Sequence, residues 1–254
     1  MSLAYDLAGA LDPACYALAA GIEPDPWQER LLRSAAPRIL INASRQSGKS
    51  TTTASLAAHT AVYRARSLTL LLSPTLRQSG ELFKKVQGTL HAHPAPPAVQ
   101  SETALTLTLK NGSRIVSLPG SEESVRGYSA VDLLIVDEAS RVSDALYYSI
   151  RPMLAVSRGR LLALSTPFGT RGWWYEAWVS AQSWERYEVP ARLCPRISAE
   201  FLAEERESMG DWWYRQEYGC EFIDAQSAAF ARADIDRAFD SEVETWDLVL
   251  PAAS

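Results

Sequence analysis

Cysteine is scarce in this 254-residue chain: Cys15, Cys194 and Cys220 are the whole complement. An odd number with no metal-ligand spacing excludes a disulfide scaffold and a zinc module, and predicts reduced core thiols in a cytosolic protein. Histidine is equally sparse. His59, His91 and His93 have no Cys or Asp at ligand spacing, and no Ser-His-Asp pattern accompanies them. No apolar run approaches the ~20 residues that span a bilayer, and the first residues lack a basic segment followed by an apolar stretch, so neither a membrane span nor a secretory leader is expected. An excess of positive charge is missing too. The formal net charge is −5 and the pI about 5.4, which argues against a protein that coats nucleic acid over its whole surface and leaves open a local basic patch in a ring or groove. There is no internal repeat and no low-complexity segment.

What remains is an ordinary globular composition, 47% hydrophobic and 22% charged, long enough for one large α/β domain with or without a small appendage. Along the chain, residues 4–20 predict an Ala/Leu-rich helix and Trp27–Leu32 a short one. Arg38–Asn42 and Ser67–Ser73 predict strands, with helices at Lys49–Ala65 and Gln78–Leu90. The three prolines of residues 91–97 make a connection. Ala104–Leu109 and Arg114–Leu118 flank Asn111-Gly112, the signature of a hairpin. A helix is expected over Ser143–Met153, a strand at Arg160–Ser165, a Trp-rich helix at Thr170–Ser180 and a charged, aromatic helical region from Ile197 to Tyr218. Beyond Phe222 the apolar periodicity weakens into a tail. Strands alternating with helices predict a mostly parallel sheet with helices on both faces. Aromatics such as Trp173, Trp174, Trp178, Trp184, Trp212 and Trp213 fit core packing better than base stacking.

The chemistry concentrates where the strand Arg38–Asn42 runs into Ala43-Ser44-Arg45-Gln46-Ser47-Gly48-Lys49-Ser50-Thr51. Gly48 lets backbone N–H groups approach phosphate oxygens, Lys49 reaches the β- and γ-phosphates, the Ser50 hydroxyl ligates Mg²⁺, and the following helix points its positive end at the anion. Ser44, Gln46, Ser47 and Thr51 complete the candidate nucleotide-binding loop. The strict pattern has Gly where this chain has Ala43. A second block, Val131-Asp132-Leu133-Leu134-Ile135-Val136-Asp137-Glu138, reads as a fully buried parallel strand. It delivers Asp137 to hold Mg²⁺ and Glu138 to polarise an attacking water at the sheet's C-terminal edge. The pair of blocks predicts an ATPase core that uses ATP and Mg, with the acidic strand separated from the loop strand by another strand.

These residues resemble the ATPase half of a large terminase subunit, the DNA-packaging motor of tailed bacteriophages. The likeness rests on the loop with Arg45 early in it, on Val125-Arg126-Gly127, on Leu133–Glu138, and on Leu164-Ser165-Thr166-Pro167 with Gly169. Trp27-Gln28 resembles the adenine-reading segment of related motors, and Ser73-Pro74-Thr75 with Gln78 has a counterpart there. The resemblance implies a P-loop NTPase of the ASCE (RecA-like) type with a small C-terminal helical lid. It divides the chain into an N-terminal helical region with the adenine-side segment at 1–37, an ATPase core at 38–195, a lid at 196–224 and a tail at 225–254 toward a nuclease domain. It further implies translocation of double-stranded DNA into a procapsid, in the bacterial host's cytoplasm, by a homo-oligomeric ring docked on a portal protein and aided by a small terminase subunit. Asp234, Asp236, Asp240 and Asp247 lie in a tail with little to fold around them, so nuclease activity is not expected of this chain but of a missing domain or another subunit.

Several roles stay open at this level. Arg45 either senses the γ-phosphate or pairs with a carboxylate. Arg126 is either an arginine finger for a neighbouring subunit, worth ~10³–10⁵ in rate, or a surface residue. Gln28 either bonds the adenine edge or is solvated. Ser165 and Thr166 either relay nucleotide state or simply end a strand. Lys84, Lys85, Lys110, Arg114 and Arg171 are candidate DNA contacts or plain surface. Two rival functions carry different requirements: a two-core helicase or translocase needs a second core, and an assembly switch that only holds ATP needs no turnover.

Overall fold

The computed structural model describes residues 3–125 and 127–223. Arg126 and the expected tail at 225–254 lie outside the described residues. In chain order the elements are α1 (Leu3–Leu11), α2 (Pro13–Ala19), α3 (Pro26–Arg33), β1 (Arg38–Ala43), α4 (Lys49–Tyr63), β2 (Leu68–Ser73), α5 (Leu76–Ala92), β3 (Val99–Glu102), β4 (Thr106–Leu109), β5 (Arg114–Pro119), α6 (Glu122–Val125), β6 (Leu133–Asp137), α7 (Asp144–Ile150), β7 (Arg160–Ser165), α8 (Gly172–Val179), β8 (Glu185–Val189) and α9 (Ala199–Glu217).

One sheet of eight strands runs in the order β3-β4-β5-β2-β6-β7-β1-β8. Every pairing from β5 to β8 is parallel, and only β3 and β4 join antiparallel at one edge. The central strands are apolar along most of their length because both faces are covered, with polar residues mainly near their ends. Alternation along β1 shows how: Ile39, Ile41 and Ala43 enter the core beneath α3, α4 and α5, whereas Leu40 enters the opposite core with Val125, Leu146 and Trp174. A third, small cluster of Ala191, Leu202 and Tyr218 anchors α9.

Three expectations need correction. The single helix over 4–20 is two helices, because Pro13 cannot donate the bond that continuation requires; Asp12 instead caps α2, its carboxylate accepting the Ala14 N–H at 2.9 Å. The helix expected over Ser143–Met153 is α-helical only through Ile150 and then tightens into a 3₁₀ turn, Arg151–Leu154, at Pro152. The helical region from Ile197 is α9, broken at Gly210, whose φ of 80° and ψ of 161° no helix accommodates. The sequence reading also passed over β3 and β8. All four residues of β3 are exposed, and β8 carries three charges among five residues, its inward face marked only by Tyr187 and Val189.

The expected tryptophan packing is observed for Trp173, Trp174 and Trp184, with Trp178 and Trp212 half-buried, but not for Trp213 of α9, which is 46% exposed. Trp173 is 2% exposed and stacks on Tyr147 at 4.0 Å, while its indole N–H donates to Val142 O. His93 stacks on Tyr16, and His59, its ring bonded to Gly9 O, is held below the usual imidazole range by burial.

Candidate active site

β1 ends at Ala43, and the chain turns through 44–48 into the first turn of α4. Ala43 is fully buried and pairs in register with Val189. It is an ordinary strand residue, so the glycine of the strict pattern is unnecessary there. The turn comes later: Gln46 sits at φ 59° and Gly48 at φ 87°. A Cβ on Gly48 would stand 2.5 Å from Gln28 Nε2, so the position demands glycine for space as well as for conformation. The Ser47 hydroxyl donates to Ser44 O at 2.9 Å and closes the loop from beneath.

Two strands away, β6 brings up its acids. The Ser50 hydroxyl donates to Asp137 Oδ2 at 3.3 Å, and Lys49 Nζ lies 4.0 Å from Glu138 Oε1. Lys49 is 7% exposed and also donates to Ser44 O at 3.4 Å. Burial, reinforced by the neighbouring Glu138 charge, raises the Asp137 carboxyl from the usual 3.8 to about 6, with Lys49 opposing the shift. Glu138 occupies the left-handed region, φ 50° and ψ 45°, which is rare for a residue with a side chain and turns its carboxylate out of the strand.

Lys49, Ser50 and Glu138 line an open cleft of about 800 Å³, with Arg45, Gln46, Gly48 and Thr51 from the loop and Thr166 across from them, while Asp137 is buried behind Ser50. Ser44 and Ser47 are fully buried and shape the loop rather than line the cleft. Gln28 is 4% exposed, which overturns the solvated reading. Its Oε1 accepts the Asp25 N–H at 2.8 Å and its Nε2 donates to Ser47 O at 3.3 Å. Arg45 reaches Glu217 of α9 at 2.5 Å. Ser165 is buried at the end of β7, 2.7 Å from the Ser140 hydroxyl, and so links that strand to the turn after Glu138.

Sequence reasoning missed one cleft residue and misplaced another. Lys85, read as a candidate DNA contact, lines the cleft from α5, and Arg141 lines it while lying over the Phe168 ring at 3.4 Å. An Arg three residues past Glu138 and an aromatic two past Thr166 were the available signal.

The donor set suits Mg²⁺. Ser50 and Asp137 offer adjacent hard oxygens, and no group of three or more His, Cys, Asp or Glu suited to a metal occurs among the described residues. A cation that keeps its waters and takes one or two protein oxygens plus substrate phosphates needs no larger cage.

With this geometry in place, comparison is decisive: residues 40–237 match the family described as terminase large subunit, T4likevirus-type, N-terminal. The chain belongs to that family. The large terminase subunit of Thermus virus P23-45 is 27% identical, over 85% of this chain and 52% of that protein; the chain thus spans about half the length of the curated relatives it matches. The ATPase domain of the Thermus phage P74-26 large terminase is 26% identical with a TM-score of 0.71, over 84% of this chain and all of that one. The large terminase of thermophilic bacteriophage D6E, solved with ATP-gamma-S, shares the fold alone at 13% identity and a TM-score of 0.65, over 78% of this chain and 52% of that one. The chain therefore has the terminase P-loop fold of the ASCE type. No helix among the described residues is long and apolar enough to cross a membrane.

Proposed function

We propose that this chain is the ATP-hydrolysing motor domain of a viral DNA-packaging terminase, driving double-stranded DNA into a procapsid. The observation that carries the reading is the meeting of Ser50 with Asp137, and of Lys49 with Glu138, at one end of the parallel sheet. Only the fold brings these two pairs together across 87 residues, and they are the set that phosphoryl transfer to water requires.

In this reading the loop N–H groups and the N-terminus of α4 hold the phosphates, and Lys49 neutralises charge on the β- and γ-phosphates. Gln28, its amide bonded to Asp25 and Ser47, supports the loop on the side assigned to the adenine. Ser50 and Asp137 would hold Mg²⁺, which would supply Lewis-acid neutralisation of phosphate charge. Glu138 accepts a proton from water as its oxygen bonds to the γ-phosphorus. The bond to the β–γ bridging oxygen breaks, and ADP and phosphate leave. Arg45 senses the γ-phosphate, Arg126 supplies a finger to a neighbouring subunit, and Ser165 and Thr166 relay the state of the site. The domain assignment 1–37, 38–195, 196–224 and 225–254 belongs to the same proposal, as do the portal, the small terminase subunit, a homo-oligomeric ring, the host cytoplasm as the place of action, and a nuclease residing outside this ATPase unit.

ATP hydrolysis measured against protein concentration, with and without double-stranded DNA, tests this. Activity that climbs more steeply than concentration, rises with DNA and vanishes in Glu138→Gln is expected. Mixing Arg126→Ala with Lys49→Ala subunits should restore part of it. Activity linear in concentration and indifferent to DNA would overturn the ring-motor reading.

A further inference from the structure

We propose that Arg196 and Asp25 are positioning residues for the phosphate loop, holding the Ser47 carbonyl so that the Gly48 N–H faces the phosphates. The inference rests on the ATP-binding reading above.

Arg196 lies between β8 and α9, and Asp25 caps α3, 171 residues earlier in the chain. The guanidinium grips the carboxylate with both arms, Nη1 to Oδ1 at 2.8 Å and Nη2 to Oδ2 at 2.7 Å. Nη2 donates again, to Ser47 O at 3.3 Å. Gln28 Nε2 donates to that same oxygen at 3.3 Å, and Gln28 Oε1 accepts the Asp25 N–H at 2.8 Å. The contacts close a ring through Asp25, Arg196, Ser47 and Gln28. Two segments, 19 and 149 residues away in the chain, thus converge on one carbonyl oxygen.

Peptide geometry gives that convergence its meaning. Every described peptide bond is trans, and a trans unit places its C=O and the following N–H on opposite sides. Two donors hold the Ser47 carbonyl on the side of Gln28 and Arg196, so the Gly48 N–H is directed the other way, toward the cleft that Gly48 lines. Glycine is also the residue whose flanking peptides rotate with least resistance. The Ser47–Gly48 unit is therefore the part of the loop most in need of an external hold. A lysine at 196 offers a point charge rather than a fork, and cannot make the bidentate grip and the third bond together.

The test uses the full chain with Mg²⁺ and compares ADP with inorganic pyrophosphate, which has the phosphates but neither base nor sugar. Titration calorimetry on Arg196→Ala should show both weakened by one common factor of about 10, the size expected for losing a charge-assisted bond. KM for ATP should rise by that factor with kcat within about two-fold, the mark of lost uniform binding. Arg196→Lys should recover only part of the loss. Loss of ADP binding with pyrophosphate unchanged would overturn the proposal by placing Arg196 on the base or ribose. Undiminished binding of both would overturn it by making the pair purely structural. Should Arg196→Ala melt, Asp25→Asn, which keeps the cap, carries the same comparison with a smaller factor. Failure of the unsubstituted chain to bind either ligand would instead count against the ATP-binding reading itself.

Discussion

Arg45 of the phosphate loop and Glu217 at the end of α9 form a 2.5 Å ion pair, and the Arg45 N–H donates to Glu217 O at 3.3 Å. The Arg45 side chain is 65% exposed and that of Glu217 10%, so water screens the pair from one side and its contribution to stability is modest. Its importance is competitive. A γ-phosphate that draws Arg45 must take it from Glu217.

Glu217→Gln removes the competing charge and leaves a hydrogen-bond acceptor. ATP affinity should rise relative to ADP affinity by about 2–5-fold, the scale of an exposed pair. Equal shifts for the two nucleotides in an equilibrium titration would mean that Arg45 does not meet the γ-phosphate.

Asp137 carries a cost that the fold alone does not relieve. Its carboxyl is raised from 3.8 to about 6, so the folded chain keeps a proton that the unfolded chain has lost between those values. The penalty is absent below about pH 3.8, grows as pH rises through 6 and is constant above, where it reaches ~3 kcal/mol. Without Mg²⁺, Asp137→Asn should therefore melt several degrees higher at pH 7.5, with the gap shrinking as pH falls toward 4. Added Mg²⁺ and nucleotide should stabilise only the unsubstituted chain, and Asp137→Asn should show no turnover.

Glu138→Gln keeps size and loses the base. Turnover should fall by ~10²–10⁴ while ATP and ADP affinities stay within about two-fold. Glu138→Gly should be equally inactive yet not less stable, because glycine relieves the left-handed backbone at φ 50°. Thermal melts of the two variants separate catalytic from conformational roles.

Ala43→Gly restores the strict loop pattern and should gain nothing. Ala43 is a fully buried strand residue paired with Val189. Its methyl and its backbone restraint are lost together, for about 1–2 kcal/mol of stability. Nucleotide affinity is expected to be unchanged; a tighter site would show that the loop's entry, not only its exit, needs a free backbone.

The sequence made the placement of the candidate site legible: Gly48-Lys49-Ser50 and Asp137-Glu138 both sit where the strand patterns put them. The central strands were equally plain, since a strand covered on both faces is apolar along most of its length. β8 hid because charges surround its two inward residues, and β3 because it has no inward residue. The hold of Arg196 on Ser47 was invisible because an ion pair spanning 171 residues leaves no local pattern. Glu217 was hidden for the same reason, on a helix whose own periodicity is interrupted at Gly210.

The order β6-β7-β1 has one further effect. β7 lies between the strand that ends at Asp137 and the strand that precedes Lys49, paired with both along its length. Strands spaced ~4.8 Å apart leave roughly 10 Å between the outer two, a span that a phosphate chain and its cation bridge. Ser165 and Thr166 therefore stand under the middle of that bridge. If the relay proposed for Ser165 and Thr166 operates, the strand that carries it is the one wedged between both halves of the site, and a shift in either half reaches it directly.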